Sequence, residues 1–349
     1  MMYQTYQEIR KTAEALDQTV NKMDSVIPMI KDLMQTQCIQ KMVFIGCGSG
    51  YCLSKSMAAM CESALGVCAT AAAGGDVLLH LNSYKKIIEG SWLVIVSRSG
   101  ETSEISLMLD ALKNDGVSFF VLGIYGAEGT SLSRKSDFVI ELPWAFDKSV
   151  CQTKNIACFY LAGTYMLAAL AEDTATMDSL RRAVKSEAGF MDRAEAAMKL
   201  VADKPFQHVV VMGDAEICGA AEEGALAFNE IAQIDSNYYH LLDSRHGPFV
   251  RFNENTVVIA AVSNVCNERE IALIRDVVKT GAITITCSGL PCSIEGAMNL
   301  CIGEDLSYQT LALPLLSICQ MLSYYKALVE GANPDSPDGL SACVIFKES

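Results

Sequence analysis

Trp92-Leu-Val-Ile-Val-Ser97-Arg-Ser-Gly-Glu-Thr102-Ser-Glu104 is the stretch on which the fold class turns. Leu93 to Val96 are too few and too β-branched for a helix and read as a buried strand. Ile105, Leu107, Met108, Leu109 and Leu112 then recur at roughly helical spacing, so a helix is predicted to start near Glu101. The first amides of a helix have no partner inside it and, with the helix dipole, form a site for an anion. Ser97, Ser99 and Thr102 place three hydroxyls within six positions of that site, and Gly100 lets the backbone come close. A strand, a turn and a capped helix need no ligand, but a cap takes one hydroxyl rather than three.

The same organisation occurs twice. In the first half, Met42-Val-Phe-Ile-Gly46-Cys-Gly-Ser-Gly50 is a strand running into a glycine-rich turn, followed by a helix through Met57, Met60 and Leu65. The Leu93 strand and its helix come next, then a strand at Phe119 to Gly123. In the second half, strands are predicted at His208 to Gly213, Val257 to Val262 and Ile283 to Cys287, with helices from about Glu216 and at Glu268 to Val278. Strands alternating with helices imply parallel sheets. Cys151 to Lys199 reads as two helices broken near Thr174, and residues up to Leu33 and from Tyr308 to Val329 also read as helices. The expected organisation is two doubly wound α/β domains, residues 1–173 and 174–349, with flanking and linking helices. Ligands of open parallel sheets sit beyond the carboxyl ends of the strands, which puts Gly46 to Gly50 and Ser97 to Thr102 on one rim. Gly-Cys-Gly-Ser-Gly lacks the Gly-x-Gly-x-x-Gly spacing of a dinucleotide fingerprint, so no nicotinamide cofactor is expected, nor any other.

Composition narrows the function classes. The 349 residues suffice for two cores. Fourteen cysteines lie mostly inside apolar blocks, without Cys-x-x-Cys spacing, as small buried hydrophobes. That usage points to a reducing, cytoplasmic compartment and away from disulfides or a metal site. A formal charge of −14 with no Lys/Arg cluster excludes nucleic acid as the expected partner. An acidic protein that binds phosphate should do so with local amides and hydroxyls. The longest apolar run, Ile156 to Ala171, is broken by Gly163 and Thr164 and is shorter than the roughly 20 residues of a bilayer span, so no membrane association is expected. The N-terminus lacks the features of a signal peptide.

A second cluster lies in the second half. Glu222-Glu223-Gly-Ala-Leu-Ala-Phe-Asn-Glu230-Ile231 reads as a helix, on which Glu223 and Glu230, seven apart, share a face with Ala227 beside the apolar stripe. Buried without a task, two such carboxylates would be costly, although they could simply edge a solvated face. Sixteen residues after Glu230 comes His246 in Arg245-His-Gly-Pro248. His80, His208 and His240 have no comparable context.

With these segments in view, the chain resembles the sugar isomerase (SIS) domain family, specifically its double-domain members. Those include the isomerase half of glucosamine-6-phosphate synthase, the fructosamine (fructoselysine) 6-phosphate deglycases and the galactosamine-6-phosphate deaminase/isomerases. The resemblance rests on Gly46-Cys-Gly-Ser-Gly50, Ser97-Arg-Ser-Gly-Glu-Thr102, Val150-Cys-Gln-Thr-Lys154, Glu223-Gly-Ala-Leu, Asn229-Glu-Ile231, Arg245-His-Gly-Pro248 and Asn333-Pro-Asp-Ser-Pro337 in their order and spacing. It implies two flavodoxin-like, three-layer α/β/α SIS domains. It also implies that Ser97, Arg98 through its backbone, Ser99 and Thr102 hold a sugar 6-phosphate, with Ser49, Val150 and Gln152 completing the pocket. Glu230 falls where the family has the base that moves a proton between C1 and C2. Glu223 would support the open-chain sugar, and His246 would assist ring opening from the neighbouring subunit of a homodimer.

The chemistry suits the residue types. Proton transfer next to a carbonyl needs a carboxylate that can take and return the proton near neutrality, and ring opening suits histidine. Three departures stand out. Ala342 occupies the position of the synthase's tail lysine, and Lys347 comes five residues later. Gly50 and Gln152 each replace a serine of the synthase pattern. No amidotransferase domain precedes Met1 in this sequence, so glutamine-driven synthesis is not expected. Isomerisation, deamination and deglycation stay open. The Arg245 and Val257-Val-Ile-Ala-Ala-Val-Ser-Asn264 stretches lean toward the galactosamine group, while the spacing from Glu230 to His246 leans toward the synthase and deglycase group. The alternative is a non-catalytic sugar-phosphate-binding regulator.

Overall fold

The computed structural model describes residues 3–342 other than Cys38, Val265 and Cys266, and also Phe346. The first part of the chain runs α1 (Gln4–Arg10), α2 (Thr12–Gln37), β1 (Lys41–Gly46), α3 (Ser49–Leu65), β2 (Cys68–Ala73), α4 (Gly74–Leu79), α5 (Leu81–Ile88), β3 (Ser91–Ser97), α6 (Ser103–Asn114), β4 (Phe119–Tyr125), α7 (Ser131–Lys135), β5 (Phe138–Glu141) and α8 (Lys154–Leu170). The second runs α9 (Thr174–Ala202), β6 (His208–Met212), α10 (Cys218–Ala227), β7 (Asp235–Tyr239), β8 (Thr256–Ala261), α11 (Glu268–Lys279), β9 (Ile283–Ser288), β10 (Ala297–Cys301) and α12 (Ala312–Glu330).

Each half contributes one five-stranded sheet, ordered β2-β1-β3-β4-β5 and β7-β6-β8-β9-β10. Every pairing is parallel. The two orders are one topology used twice, each with its switch point beside the first strand of its half. β3 is buried along its whole length, as expected of an apolar run inside a parallel sheet with both faces covered. The edge strands β7 and β10, by contrast, are mostly half-exposed and carry no continuous apolar run, so the sequence does not announce them.

The chain divides into two compact units that do not follow a single cut. The first-sheet unit comprises Glu14–Lys148, Lys154–Thr174 and Ser341–Ser349; the second comprises Met1–Ala13, Ser149–Thr153 and Ala175–Leu340. Relative to a division at 173/174, the N-terminal helix α1 and the short segment 149–153 pack with the second sheet. In the first unit, Val43, Ile45, Leu93, Ile95 and Val121 form a core with Ile105, Met108 and Leu109 of α6. In the second, Val210, Met212, Val258 and Ala260 do so with Leu273, Ile274 and Val277 of α11. One described helix, Tyr308–Glu330, is long and apolar enough to cross a membrane, and 83% of its most apolar window is buried inside the protein. It is the core helix of its unit, and it exceeds the Ile156 run singled out from the sequence.

Candidate active site

In the first unit, β1 ends at Gly46 and β3, its neighbour, at Ser97, so both glycine-containing turns leave the same rim. Gly46 and Gly50 are required by close approach. A Cβ on Gly46 would lie 2.1 Å from the Gly50 carbonyl carbon, and one on Gly50 would lie 2.8 Å from the Val96 oxygen. The serine of the synthase pattern therefore has no room at position 50, and Ser49, buried, becomes the first residue of α3.

The second turn is longer than predicted: α6 begins at Ser103 rather than near Glu101. Gly100 takes the left-handed φ of +63° and Thr102 is extended, which delays the helix by two residues. Ser97 Oγ accepts from Gly100 N at 3.1 Å and lies 3.0 Å from Thr102 Oγ1, while Ser99 Oγ accepts from Glu101 N at 3.1 Å. The three hydroxyls are thus fixed around the start of α6, and the Thr102 hydroxyl makes no cap bond of its own to the helix. Amide donors at the starts of α3 and α6 make this rim attractive to an anion. Thr130, silent in the sequence, fixes the turn: its Oγ1 sits 2.2 Å from where a Gly100 Cβ would be. Burial and the nearby Glu104 push the Cys47 thiol up to about 11, so it stays protonated beside the cradle.

Arg98 was expected to contribute its backbone. Its side chain is buried as well, and Nη2 donates to the carbonyl of Ala342, the residue at the position of the family's tail lysine. Phe346 N donates to Ser103 Oγ at 3.1 Å. Lys347 lies outside the described residues.

In the second unit the predicted single helix carrying both glutamates is not regular. α10 stops at Ala227 and a π-helical turn follows at Phe228–Ala232, closed by Gln233 in the left-handed region at φ +53°. A π turn holds one more residue than an α turn, so seven-residue spacing no longer keeps two side chains aligned. Glu223 is buried, whereas Glu230 is half-exposed. The expectation of one shared face is corrected accordingly. The segment 149–153 packs on this turn: Cys151 clusters with Ala227, Ile231, Ala232 and Ala327. Cys151, which the sequence places far from Glu230, is thereby brought against the turn that carries it. Beside Glu223, Gly224 packs so tightly on α12 that a Cβ there would lie 2.8 Å from Cys319 Sγ, and burial and Glu223 push that thiol up.

His246 is exposed, between two 3-10 turns at Leu242–Arg245 and Pro248–Arg251. Those turns belong to the α11 side of the sheet, where Leu241, Phe249 and Phe252 pack with Val210 and Met212. α10 lies on the other side, its Gly224 against Val211. Alternate residues of β6 face opposite ways, so Glu230 and His246 of one chain hang from opposite faces of the sheet. The structure does not bring this pair together. Arg245 pairs with Asp276 at 2.8 Å, and with Lys279 it holds the Asp276 carboxyl below its usual range. Among the described residues, no group of three or more His, Cys, Asp or Glu is arranged to hold a metal.

Residues 36–169 match the SIS domain family model. The SIS match covers the whole first sheet, and the second sheet repeats its strand order. Over 350 residues the chain is 26% identical to a glutamine–fructose-6-phosphate aminotransferase [isomerizing] of Methanothermobacter thermautotrophicus, covering 97% of this chain and 56% of that protein. A counterpart from Arabidopsis thaliana is 24% identical, over 90% of this chain and 48% of that one. The chain thus spans about half the length of these curated relatives. Among solved structures, glucosamine-6-phosphate deaminase from Thermotoga maritima aligns with TM-score 0.77 and 22% identity over 98% of this chain and 100% of its own. Tagatose-6-phosphate ketose/aldose isomerase from Escherichia coli aligns with TM-score 0.82 and 18% identity over 99% and 96%. These likenesses establish a phosphosugar-isomerase-like SIS fold.

Proposed function

We propose that this protein is an enzyme of aldose/ketose chemistry that acts on an amino-sugar or fructosamine 6-phosphate by moving a proton between C1 and C2. Ser49, Ser97, Ser99, Thr102 and the Arg98 backbone hold the phosphate, and Val150 and Gln152 complete its binding. The phosphate, remote from the reacting carbons, supplies binding energy that positions them. Glu230 is the base, Glu223 supports the open-chain sugar, and His246 opens the ring.

The observation that carries this reading is Glu230 itself, a carboxylate turned out of its helix by a π turn, a distortion frequent at functional sites. A mere phosphate-binding module has no use for it. The separation of Glu230 and His246 across the second sheet supports a homodimer in which each site takes its histidine from the other subunit. The exposed apolar side chains of Leu242 and Val250, on either side of His246, suit such a contact.

Proton NMR in deuterated buffer tests the proposal, with glucosamine, galactosamine and fructoselysine 6-phosphates offered separately to the wild-type protein and to Glu230→Gln. Deuterium at C1 or C2, or a released amine, in the wild type alone is the expected result and names the substrate. Saturable binding without exchange for every sugar would replace the enzyme by a sugar-phosphate-binding regulator.

A further inference from the structure

The segment 149–153 is short, yet it packs with the second unit while the residues on either side of it pack with the first. Several hydrogen bonds fix it. Ser149 donates its N–H to Glu8 Oε2 at 3.3 Å and its hydroxyl to the same oxygen; Val150 N donates to the Asp335 carbonyl at 3.1 Å; Gln320 Nε2 donates to the Thr153 carbonyl at 2.9 Å. Cys151 is packed on the π turn. Val150 and Gln152 are the two residues of the segment left half-exposed, while Ser149, Cys151 and Thr153 are buried.

Glu8 is the unusual member. It is 2% exposed and sits on α1, a helix of seven residues that has no stability of its own. α1 is in turn pinned by the tail: Asp335 accepts from Gln4 N at 2.9 Å and from Thr5 N at 2.7 Å and Thr5 Oγ1 at 2.8 Å, and Thr5 Oγ1 lies 2.8 Å from the Pro334 carbonyl. Gln4 Nε2 donates to Glu8 Oε1 at 2.9 Å. A short helix pinned at its start by the tail thus meets the 149–153 segment at one carboxylate whose burial is costly unless it is well hydrogen-bonded, and two of its bonds go to Ser149. A short helix docked only for packing would present an apolar residue there.

We propose that Glu8 is a positioning residue for substrate binding, acting through Ser149 to set the backbone of Val150 and the side chain of Gln152. The inference rests on the assignment of Val150 and Gln152 to the phosphate pocket. A carboxylate acceptor makes a stronger bond than an amide oxygen of the same shape, so Glu8→Gln loosens the segment without emptying the space.

The test measures KM and kcat for the sugar 6-phosphate turned over by the wild type, with direct titration of its binding, in Glu8→Gln, Ser149→Ala and Ser149→Thr. Glu8→Gln and Ser149→Ala should each raise KM about tenfold while kcat stays within about threefold, and Ser149→Thr, which keeps the hydroxyl, should restore KM. If Glu8→Gln does not fold, Ser149→Ala carries the same readout. Wild-type KM in the folded variants, with only a lower unfolding midpoint, makes Glu8 structural and overturns the inference while leaving the enzymatic reading intact. A wild-type protein that neither binds nor converts any of the sugar phosphates overturns both.

Discussion

Glu187 offers the sharpest quantitative prediction. It lies on α9, fully buried; Oε1 accepts from Ser317 Oγ of α12 at 2.5 Å, and Oε2 has no partner among the described residues. Burial pushes its carboxyl from 4.5 up to about 7, only partly offset by the serine. In the unfolded chain the group ionises near its ordinary value, whereas the folded protein keeps it protonated. The unfolded state therefore loses a proton first, and stability that is fully present below pH 4.5 drains away as the pH rises to about 7. Each pH step of one in that window costs about 1.4 kcal/mol, about 3 kcal/mol by neutral pH. Glu187→Gln removes the ionisation and keeps both the volume and an acceptor for Ser317. Urea unfolding followed by far-UV circular dichroism should find variant and wild type within about 1 kcal/mol of each other at pH 4.5, and the variant more stable by about 3 kcal/mol at pH 8. Parallel stability curves for the two proteins between pH 4.5 and 8 would show that Glu187 ionises in the fold as it does in water, and the argument from burial would fail.

Other expectations follow from the cradle and the second sheet. Ser97→Ala, which removes a hydroxyl bonded to both Gly100 and Thr102, should weaken calorimetric binding of a sugar 6-phosphate about tenfold. Gly50→Ser should cost about 1–3 kcal/mol in thermal or urea unfolding, because its Cβ has to push against the Val96 carbonyl; an unchanged midpoint would mean that the turn yields freely. Glu230→Gln and His246→Asn should each be inactive alone, but mixed after reversible dissociation they should regain about a quarter of wild-type activity, since half of the randomly reassorted dimers hold one intact site. No recovery on mixing would place both residues of each site in one chain.

The central strands were legible because burial on both faces leaves apolar or β-branched runs: β3, β6, β8 and β9 carry uninterrupted β-branched stretches, and β4 an apolar one. The edges were not. β7 reads Asp-Ser-Asn-Tyr-Tyr and is half-exposed, so its assignment depends on pairing with β6 rather than on any pattern of its own. The start of α6 was misjudged for a local reason. Glu101 looks like a first-turn acid, but a left-handed Gly100 and an extended Thr102 postpone the helix until Ser103.

At the candidate site, the spatial relations of the residues were not legible in the sequence. A spacing of seven between Glu223 and Glu230 implies one face only if every turn is α, and nothing in Ala227-Phe-Asn-Glu-Ile-Ala232 marks the extra residue of the π turn. The turn has visible supports. Gln233 accepts an uncommon backbone conformation and donates Nε2 to the Asp338 carbonyl at 2.8 Å, while Cys151 and Ala327 pack against Ile231 and Ala232. Tertiary contacts from the middle and the end of the chain thus accompany a local distortion that is unfavourable by itself. They pack on the apolar residues of the turn and leave Glu230 half-exposed. Under the proposed function this exposure suits Glu230 to the part of the base that meets the sugar, and the burial of Glu223 suits it to a supporting part. The π turn is what separates the surroundings of the two carboxylates.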